Sequence, residues 1–247
     1  FRRVLFRSLQ SQADVVTLAR SGADLAADVA QPSALAAALA AAAPDLVIHL
    51  AAASRLADCE RDPAQAHRIN ATAAAAIAER FGPKSLYVST DLVFDGRRAP
   101  YAADDPTMPL SEYGMSKASG EQLVLAAGGR VARLPLLFGP DRLGRGATGM
   151  IRKAMAQQQP VTLFTNEYRT PLHAADAARG LVEVLFAQRS APIVHLPGPE
   201  RLSRWELGVL LCARHGIARD LLVPRECQDP LRPRRSEEHT SELQSRV

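Results

Sequence analysis

Tyr113 and Lys117 stand four residues apart in the string YGMSK, within a segment whose pattern predicts a helix. On a helix this spacing places both side chains on one face, with Cβ atoms about 5–6 Å apart. The pKa of a tyrosine hydroxyl is about 10 in water, and a neighbouring cation lowers that pKa toward the range useful for proton transfer. The pair could therefore perform acid–base chemistry, although the same spacing also occurs on solvated helices that have no catalytic role.

Two further segments carry groups that could assist such chemistry. The string Ser89-Thr90-Asp91 ends a predicted strand. Because parallel sheets bind ligands at the carboxyl ends of their strands, the Thr90 hydroxyl could hydrogen-bond a substrate carbonyl beside the tyrosine. The alternative is a strand end closed by an ordinary Asp or Ser turn. The small residues 51–53 follow another predicted strand, LVIHL, and would let a flat ligand approach the backbone.

The elements that must position these groups alternate between strands and helices. The sequence predicts strands over 15–19, 46–50, 86–89 and 131–138, and helices over 33–43, 63–80 and 111–127, with Ser33 as the N-cap of the first helix. Near-continuous apolar strands at this spacing are typical of a parallel sheet buried on both faces. We therefore expect an α/β, doubly wound parallel sheet.

After Gly139 the pattern changes. A glycine-rich loop is followed by predicted helices over 150–158, 176–187 and 203–215 and by a short strand over 161–164. This section predicts a small C-terminal lobe over 140–234, with some of its segments returning to the sheet of residues 9–139.

The composition excludes several classes of protein. Of the 247 residues, 47% are hydrophobic and 23% are charged, which is ordinary for a folded domain. A net charge of +4 is too small to indicate nucleic acid as the partner. The three cysteines have no C-x-x-C spacing and the six histidines no metal-ligand spacing, so neither a disulfide framework nor a metal site is expected. No uninterrupted apolar run reaches about 18 residues, so we expect no membrane partner and a cytoplasmic protein.

The two ends of the chain differ from the rest. Residues 1–8 (FRRVLFRS) and 235–247 resemble translated sequencing adapters, and the first of these segments has a pattern that fits nothing after it. We expect both to be artefacts and exclude them from the fold. A basic arm and a frayed polar tail are the alternative interpretation.

Six strings, taken together in this order, resemble the extended short-chain dehydrogenase/reductases. Within that family the chain looks most like the dTDP-4-dehydrorhamnose reductase group of sugar-nucleotide-binding proteins. The strings are VIHLAAAS (47–54), RINAT (68–72), YVSTDLVFDG (87–96), YGMSK (113–117), RLPLLFGP (133–140) and RTPLHAADAA (169–178). The resemblance implies a Rossmann-type fold, with an NADP-binding domain over 9–139 and mainly a substrate-binding lobe over 140–234.

The resemblance also implies the reaction, which is reduction of the keto group of a nucleotide-linked 4-keto-deoxysugar. NADPH would be the cofactor, with NADH as the alternative. Tyr113 would give a proton to the carbonyl oxygen while the nicotinamide delivers hydride. Lys117 would lower the tyrosine pKa and hold the nicotinamide ribose, and Thr90 would orient the carbonyl.

For the cofactor, the resemblance implies a groove lined by Ala51, Ala52 and Ala53. Asp28 and Val29 would contact the adenine. Arg20 would accommodate the 2′-phosphate of NADP, or is a solvated turn arginine. Further along the chain, the helix residue Asn70 is as consistent with a structural role as with proton relay.

For the substrate, we expect contacts from Thr90, Asp91, Leu136 and Arg169. Arg169 and Arg142 are candidates for a nucleotide diphosphate because of their place in the C-terminal lobe and because a guanidinium fork matches phosphate geometry, without support from a motif. Leu136 stands where the rhamnose-pathway enzymes usually have a tryptophan, so the sugar could differ from theirs.

The chain departs from the family in its glycine turn. The family opens with a strand and a G-x-x-G-x-x-G turn, neither of which occurs before Val15. We expect the first strand and glycine turn to be missing from this chain, which removes the backbone donors for the pyrophosphate. The string over 144–149 satisfies G-x-G-x-x-G literally, but it does not follow a strand immediately and is interpreted as a loop of the substrate lobe.

Two other functions stay open. One is an epimerase or dehydratase of the same fold, in which Asp91 would be half of an added acid/base pair. The other is a non-catalytic NADP-binding regulatory subunit that resembles the partner of methionine adenosyltransferase. A homodimer is the expected assembly.

Overall fold

The computed structural model describes residues 1–10, 12–139, 146–187 and 191–232. The helices are α1 (Arg2–Leu9), α2 (Pro32–Ala42), α3 (Leu56–Arg61), α4 (Pro63–His67), α5 (Ala73–Phe81), α6 (Glu112–Ala126), α7 (Ala147–Ala156), α8 (Ala174–Phe186) and α9 (Arg204–His215). The strands are β1 (Leu18–Ala19), β2 (Leu25–Ala26), β3 (Val47–His49), β4 (Ser85–Thr90), β5 (Arg130–Leu134), β6 (Leu137–Phe138), β7 (Val161–Phe164), β8 (Tyr168–Arg169), β9 (Leu172–His173), β10 (Ile193–His195), β11 (Leu202–Ser203) and β12 (Leu222–Arg225).

Four parallel strands form the central sheet, in the order β10-β5-β4-β3. Alternate side chains of β4 face opposite sides of this sheet. Leu86 joins an apolar cluster that contains residues of α1 and α8. Tyr87 joins a cluster with residues of α5 and α6. Helices therefore cover both faces, and the predicted α/β, doubly wound parallel sheet is confirmed.

β1 and β2 form a separate parallel pair. The turn between them is closed by Thr17, whose backbone N–H and hydroxyl both donate to the Asp24 carboxylate (2.8 and 2.7 Å). The predicted strand over 15–19 is thus shortened to two residues. Within the described residues this pair shares no ladder with the four-stranded sheet.

The first helix gives residues 1–8 a place in the fold. Leu5 of α1 is 2% exposed and packs with Leu9 into the cluster that lies between the sheet and α8. The expectation that this segment fits nothing after it is therefore wrong, because its two leucines, one turn apart, cover apolar surface of α8. Residues 233–247 lie outside the described part of the chain.

A second apolar cluster holds the C-terminal lobe together. It joins α7 and α9 to the parallel pair of β7 and β12, and its buried members are Ile151, Val161, Leu163, Leu207, Leu211, Cys212 and Leu222. β8 pairs with β11, and β6 pairs with β9. From β9 the chain returns to the central sheet through α8 and adds β10 beside β5.

Several elements differ from the sequence predictions, and for two of them a proline explains the difference. Helix α2 begins at Pro32 with Gln31 as its N-cap, rather than Ser33, because proline is well suited to the first helical position. The predicted helix over 63–80 contains a π-helical turn over 68–72 between α4 and α5. The predicted strand over 131–138 ends at Leu134, since Pro135 has no backbone N–H to continue a ladder. No helix in the described ranges is long and apolar enough to cross a membrane.

Candidate active site

The first turn of α6 holds Tyr113 against the segment that follows β4. Ser111 caps the helix by accepting a hydrogen bond from Gly114 N (3.2 Å). Gly114 approaches the segment after β4 so closely that a Cβ on residue 114 would lie 2.5 Å from the Leu92 carbonyl oxygen. The glycine beside Tyr113 is therefore what lets this helix approach the end of the strand.

Thr90, the last residue of β4, meets Tyr113 at this contact. The Thr90 side chain acts on the phenol and lowers the pKa of Tyr113. The Thr90 hydroxyl accepts a hydrogen bond from Leu92 N (3.2 Å) and donates one to Asp91 Oδ1 (3.2 Å). The structure thus brings together the hydroxyl at the strand end and the phenol on the helix.

Lys117 lies one helical turn further along α6 and is completely buried. Its Nζ donates to the Val88 carbonyl (2.7 Å) and lies 3.9 Å from the centre of the Tyr87 ring. Burial lowers the pKa of Lys117 to about 7, against the opposing effect of the nearby Glu121 carboxylate. The ammonium therefore stands close to its own titration point at neutral pH.

The pKa of Tyr113 is raised to about 12, chiefly because burial disfavours the phenolate. The Thr90 side chain and the guanidinium of Arg169 lower the pKa of Tyr113, whereas Asp91 and Cys59 raise it further. That Lys117 lowers the tyrosine pKa stays a prediction. The net direction is upward, and the cation that opposes it is an arginine from the C-terminal lobe.

Asp91 and Arg169, both predicted to contact substrate, are bound to each other. The Arg169 Nε lies 2.5 Å from Asp91 Oδ2, and Nη2 of the same guanidinium bonds Oδ1. This ion pair joins the turn after β4 to β8, and so connects the sheet to the C-terminal lobe. Leu136 is half-buried and packs against the cluster of that lobe. Arg142 lies outside the described residues.

Residues 51–53, which follow β3, are held by Asn70 from the π-helical turn. Asn70 accepts from Ala53 N (2.9 Å) and donates to Ala53 O (3.0 Å). The side-chain amide of Asn70 also donates to the Ser116 hydroxyl on α6 (2.9 Å), and the backbone carbonyl of Asn70 accepts from the Tyr87 hydroxyl (2.5 Å). The structure thus gives Asn70 a clamping role between the groove and the helix that carries Tyr113 and Lys117.

The expected adenine contacts follow the first two strands. Arg20 comes directly after β1 and is exposed. Asp28 accepts a bond from Ala30 N (3.0 Å), and Val29 packs against the cluster of α2. The structure thus places these three residues after β1 and β2, and their contacts with a cofactor stay a prediction. The described residues before β3 supply no glycine turn between a strand and a helix, so the pyrophosphate donors of a Rossmann fold are not among them.

The sequence reasoning missed a buried ion pair beneath the site. Arg133 on β5 makes three hydrogen bonds to the Glu121 carboxylate (2.7, 3.0 and 3.1 Å). It also donates to the Ala103 carbonyl and contacts His195 Nε2, both at 3.0 Å. Glu121 lies four residues after Lys117, and this i, i+4 spacing was a signal that could have located it.

The fold and the site define a Rossmann-type α/β protein with a tyrosine–lysine pair at the carboxyl edge of its sheet. The chain belongs to the RmlD substrate binding domain family, whose sequence profile matches residues 3–246. The predicted membership of the dTDP-4-dehydrorhamnose reductase group is thereby confirmed at the level of the family.

Three proteins illustrate the similarity. A probable dTDP-4,6-dihydroxy-2-methyloxan-3-one 4-ketoreductase of Streptomyces antibioticus is 34% identical over 74% of this chain and 62% of its own length. The methionine adenosyltransferase 2 subunit beta of Danio rerio is 31% identical over 73% of this chain and 59% of its own. The chain therefore spans about three fifths of the length of these relatives. The dTDP-4-dehydrorhamnose reductase of Bacillus anthracis, solved in complex with NADP, superposes with a TM-score of 0.81 at 22% identity, over 94% of this chain and 84% of that one.

Proposed function

We propose that the protein is an NADP(H)-dependent reductase of the keto group of a nucleotide-linked deoxysugar, with reduction at C4 of a dTDP-4-keto-6-deoxyhexose as the specific reaction. The observation that carries this proposal is that the helix with Tyr113 and Lys117 approaches the segment after β4 closely, at the strand end that holds Thr90. A carbonyl oxygen placed beside Tyr113 and Thr90 would meet a proton donor and a second hydroxyl at once. The similarity to a Streptomyces ketoreductase and to a reductase solved with NADP supports the choice of reaction and cofactor.

Each residue would have a distinct task. With a pKa near 12, Tyr113 stays protonated at neutral pH and can donate its proton to the alkoxide that forms at the sugar carbon. Thr90 would hydrogen-bond the same oxygen and fix its direction. A bound nicotinamide would supply the hydride. Lys117 would bind a hydroxyl of the nicotinamide ribose, and the small residues 51–53 would leave space for the nicotinamide ring.

The ion pair of Asp91 favours a reductase over a dehydratase or epimerase of the same fold. Those activities need an additional acid/base pair beside the tyrosine. Both carboxylate oxygens of Asp91 are bound by Arg169, so the carboxylate is already engaged and is not free to bind a substrate. Asp91 is therefore poorly suited to be half of such a pair.

A non-catalytic subunit is the second candidate, because the chain is 31% identical to a methionine adenosyltransferase 2 subunit beta. Such a protein would use the same groove to bind a dinucleotide without turning it over. The predicted homodimer stays a prediction under either function.

The experiment incubates the 247-residue chain with a dTDP-4-keto-6-deoxyhexose and NADPH deuterated at the transferable position. A reductase consumes NADPH stoichiometrically and yields a sugar nucleotide that carries deuterium at C4. Turnover of the sugar without net NADPH consumption would indicate an epimerase instead. Saturable NADPH binding with no consumption would refute the reductase and support the non-catalytic subunit. A reaction without the sugar is the control for NADPH decay.

A further inference from the structure

The buried ion pair of Glu121 and Arg133 lies one helical turn beyond Lys117, on the face of the sheet that α6 covers. Val131 of β5 belongs to the apolar cluster shared with α5 and α6, and Arg133, two residues further along the strand, projects to the same face. Glu121 follows Lys117 by four positions on α6, so its side chain leans back toward the lysine. The three charged groups, all buried, therefore share one layer between the helix and the sheet.

Lys117 and Glu121 do not bind each other, although their spacing on α6 and their opposite charges favour a pair. The Lys117 ammonium donates to the Val88 carbonyl instead (2.7 Å). Both Glu121 oxygens accept from Arg133, through Nε (3.0 and 3.1 Å) and Nη2 (2.7 Å). Within the described part of the chain, the ion pair of Glu121 is the one with Arg133, and none joins it to Lys117. Arg133 thus holds the carboxylate that Lys117 would otherwise bind.

Resting on the proposed function, we propose that Arg133 is a positioning residue for cofactor binding: by holding both oxygens of Glu121, it keeps Lys117 from pairing with that carboxylate and leaves its ammonium hydrogens to a ribose. An ammonium has three hydrogens, and the Val88 carbonyl occupies one of them. The other two can donate to ribose hydroxyls. A pair between Lys117 and Glu121 would use one of these hydrogens and draw the ammonium toward the next turn of the helix, away from Tyr113.

The other titratable groups near Lys117 are neutral. The Tyr87 ring of β4 lies 3.9 Å from Nζ, and its phenol stays protonated because burial raises the pKa of Tyr87 well above its usual range. His49 of β3 is electrostatically coupled to Lys117, and burial lowers the pKa of this histidine to about 3. Tyr113, one turn earlier on α6, has a pKa raised to about 12. Glu121 is therefore the anion of this set that can pair with Lys117.

The first test follows the charge of Lys117 without any cofactor. The chain has three lysines, of which Lys84 and Lys153 are exposed, so Lys84→Arg with Lys153→Arg gives a background in which 13Cε-labelled lysine reports Lys117 alone. In this background the pKa of Lys117 should be about 7. Arg133→Met should raise it by at least about 1 unit, because the carboxylate that loses its arginine stabilises the ammonium. Adding Glu121→Gln should return the pKa to the background value or below it.

Arg130→Met is the matched control for the loss of an arginine from β5. Arg130 alternates with Val131 along the strand and so faces away from α6, and its guanidinium donates to two carbonyls of α8 (2.7 and 3.0 Å). This variant should lower the free energy of unfolding and leave the pKa of Lys117 unmoved. The control therefore separates a loss of stability from a change at the lysine.

The second test measures the affinity for NADP⁺ by calorimetry at pH 6, where a lysine with a pKa of about 7 is mostly protonated. Arg133→Met should raise the Kd about tenfold, since a hydrogen bond between an ammonium and a ribose hydroxyl is lost. The double variant, Arg133→Met with Glu121→Gln, should restore most of the affinity, and Arg130→Met should keep the Kd of the wild type. Restoration by the second change would mean that Arg133 acts through Glu121 rather than by touching the cofactor.

The outcomes separate a positioning role from a structural one. An unmoved Lys117 pKa in Arg133→Met, with stability lost, would make Arg133 a structural residue and overturn the proposal. A loss of NADP⁺ affinity that Glu121→Gln does not restore would overturn it as well. If the wild type binds no NADP⁺, the proposed function fails, while the Lys117 pKa still decides the role of Arg133.

A fallback covers the case in which Arg133→Met does not fold. The double variant then decides, because it leaves no unpaired buried charge. Affinity for NADP⁺ close to that of the wild type supports the proposal, since the arginine is then dispensable once the Glu121 carboxylate is gone. A loss of about tenfold in the double variant contradicts it.

Discussion

Replacement of Glu121 by leucine should lower the free energy of unfolding by about 3–5 kcal/mol, because it leaves the guanidinium of Arg133 buried without its counterion. The two side chains are only 3% and 4% exposed, so water cannot compensate for the lost carboxylate. Three hydrogen bonds disappear with it. The magnitude is thus that of a broken buried ion pair, well above the cost of an exposed one.

A double variant shows whether the buried charge is the cause. Glu121→Leu combined with Arg133→Met removes both charges and keeps apolar volume under Phe94, over whose ring the guanidinium lies (4.9 Å). It should be more stable than the single variant. It should still be less stable than wild type by about 1–3 kcal/mol, since the Ala103 carbonyl and His195 lose their partner.

Urea denaturation of the chain, followed by circular dichroism, measures these differences. Arg61→Ala is the control, because its ion pair with Asp58 is mostly exposed (76% and 44%) and should contribute less than about 1 kcal/mol. The reasoning would be refuted if Glu121→Leu came within about 1 kcal/mol of wild type. It would also be refuted if the double variant were less stable than the single one.

Three further variants test separate parts of the structure. Burial lowers the pKa of His49 from 6.5 to about 3, so as the pH falls below 6.5 the unfolded chain binds a proton that the folded chain does not, and stability is lost. His49→Phe should therefore reduce the loss of stability between pH 7 and pH 5 by about 2 kcal/mol, as measured by thermal melts. Gly120→Ala should destabilise by about 1–3 kcal/mol in urea titrations, since its Cβ would lie 2.5 Å from Asn70 O and 2.7 Å from the Tyr87 hydroxyl, whereas no such loss is expected for Ser119→Ala. Arg20→Ala should weaken the binding of NADPH more than that of NADH in calorimetric titrations, and equal losses would remove the 2′-phosphate role.

The parts of the site that sequence alone predicts are local or follow from sheet geometry. The i, i+4 spacing of Tyr113 and Lys117 fixes them on one helix, and the end of a parallel strand fixes Thr90 at the ligand edge. Both follow from backbone periodicity. The strings that carry the family resemblance supplied the order of these pieces along the chain.

The electrostatics of the site could not be predicted in this way. The cation that acts on Tyr113 belongs to Arg169, which is distant in sequence and arrives only when the C-terminal lobe packs on the sheet. Lys117 is so deeply buried that desolvation dominates its pKa. Both effects depend on burial, which periodicity does not report for individual side chains.

Several elements were missed for a similar reason. β2 and β10 are only two or three residues long and are defined by the strands they pair with rather than by an apolar run. Likewise, Leu5 of α1 is buried because α8 offers it an apolar surface, which the pattern of residues 1–8 cannot reveal.

The central claim is that the Tyr113 hydroxyl delivers the proton in a reduction by NADPH. The most direct measurement compares Tyr113→Phe with wild type for NADPH-dependent reduction of the keto-sugar and for NADPH affinity by calorimetry. The variant should lose at least about a hundredfold in kcat while its Kd for NADPH stays close to that of wild type. Full activity of Tyr113→Phe on every substrate that the wild type accepts would contradict the account.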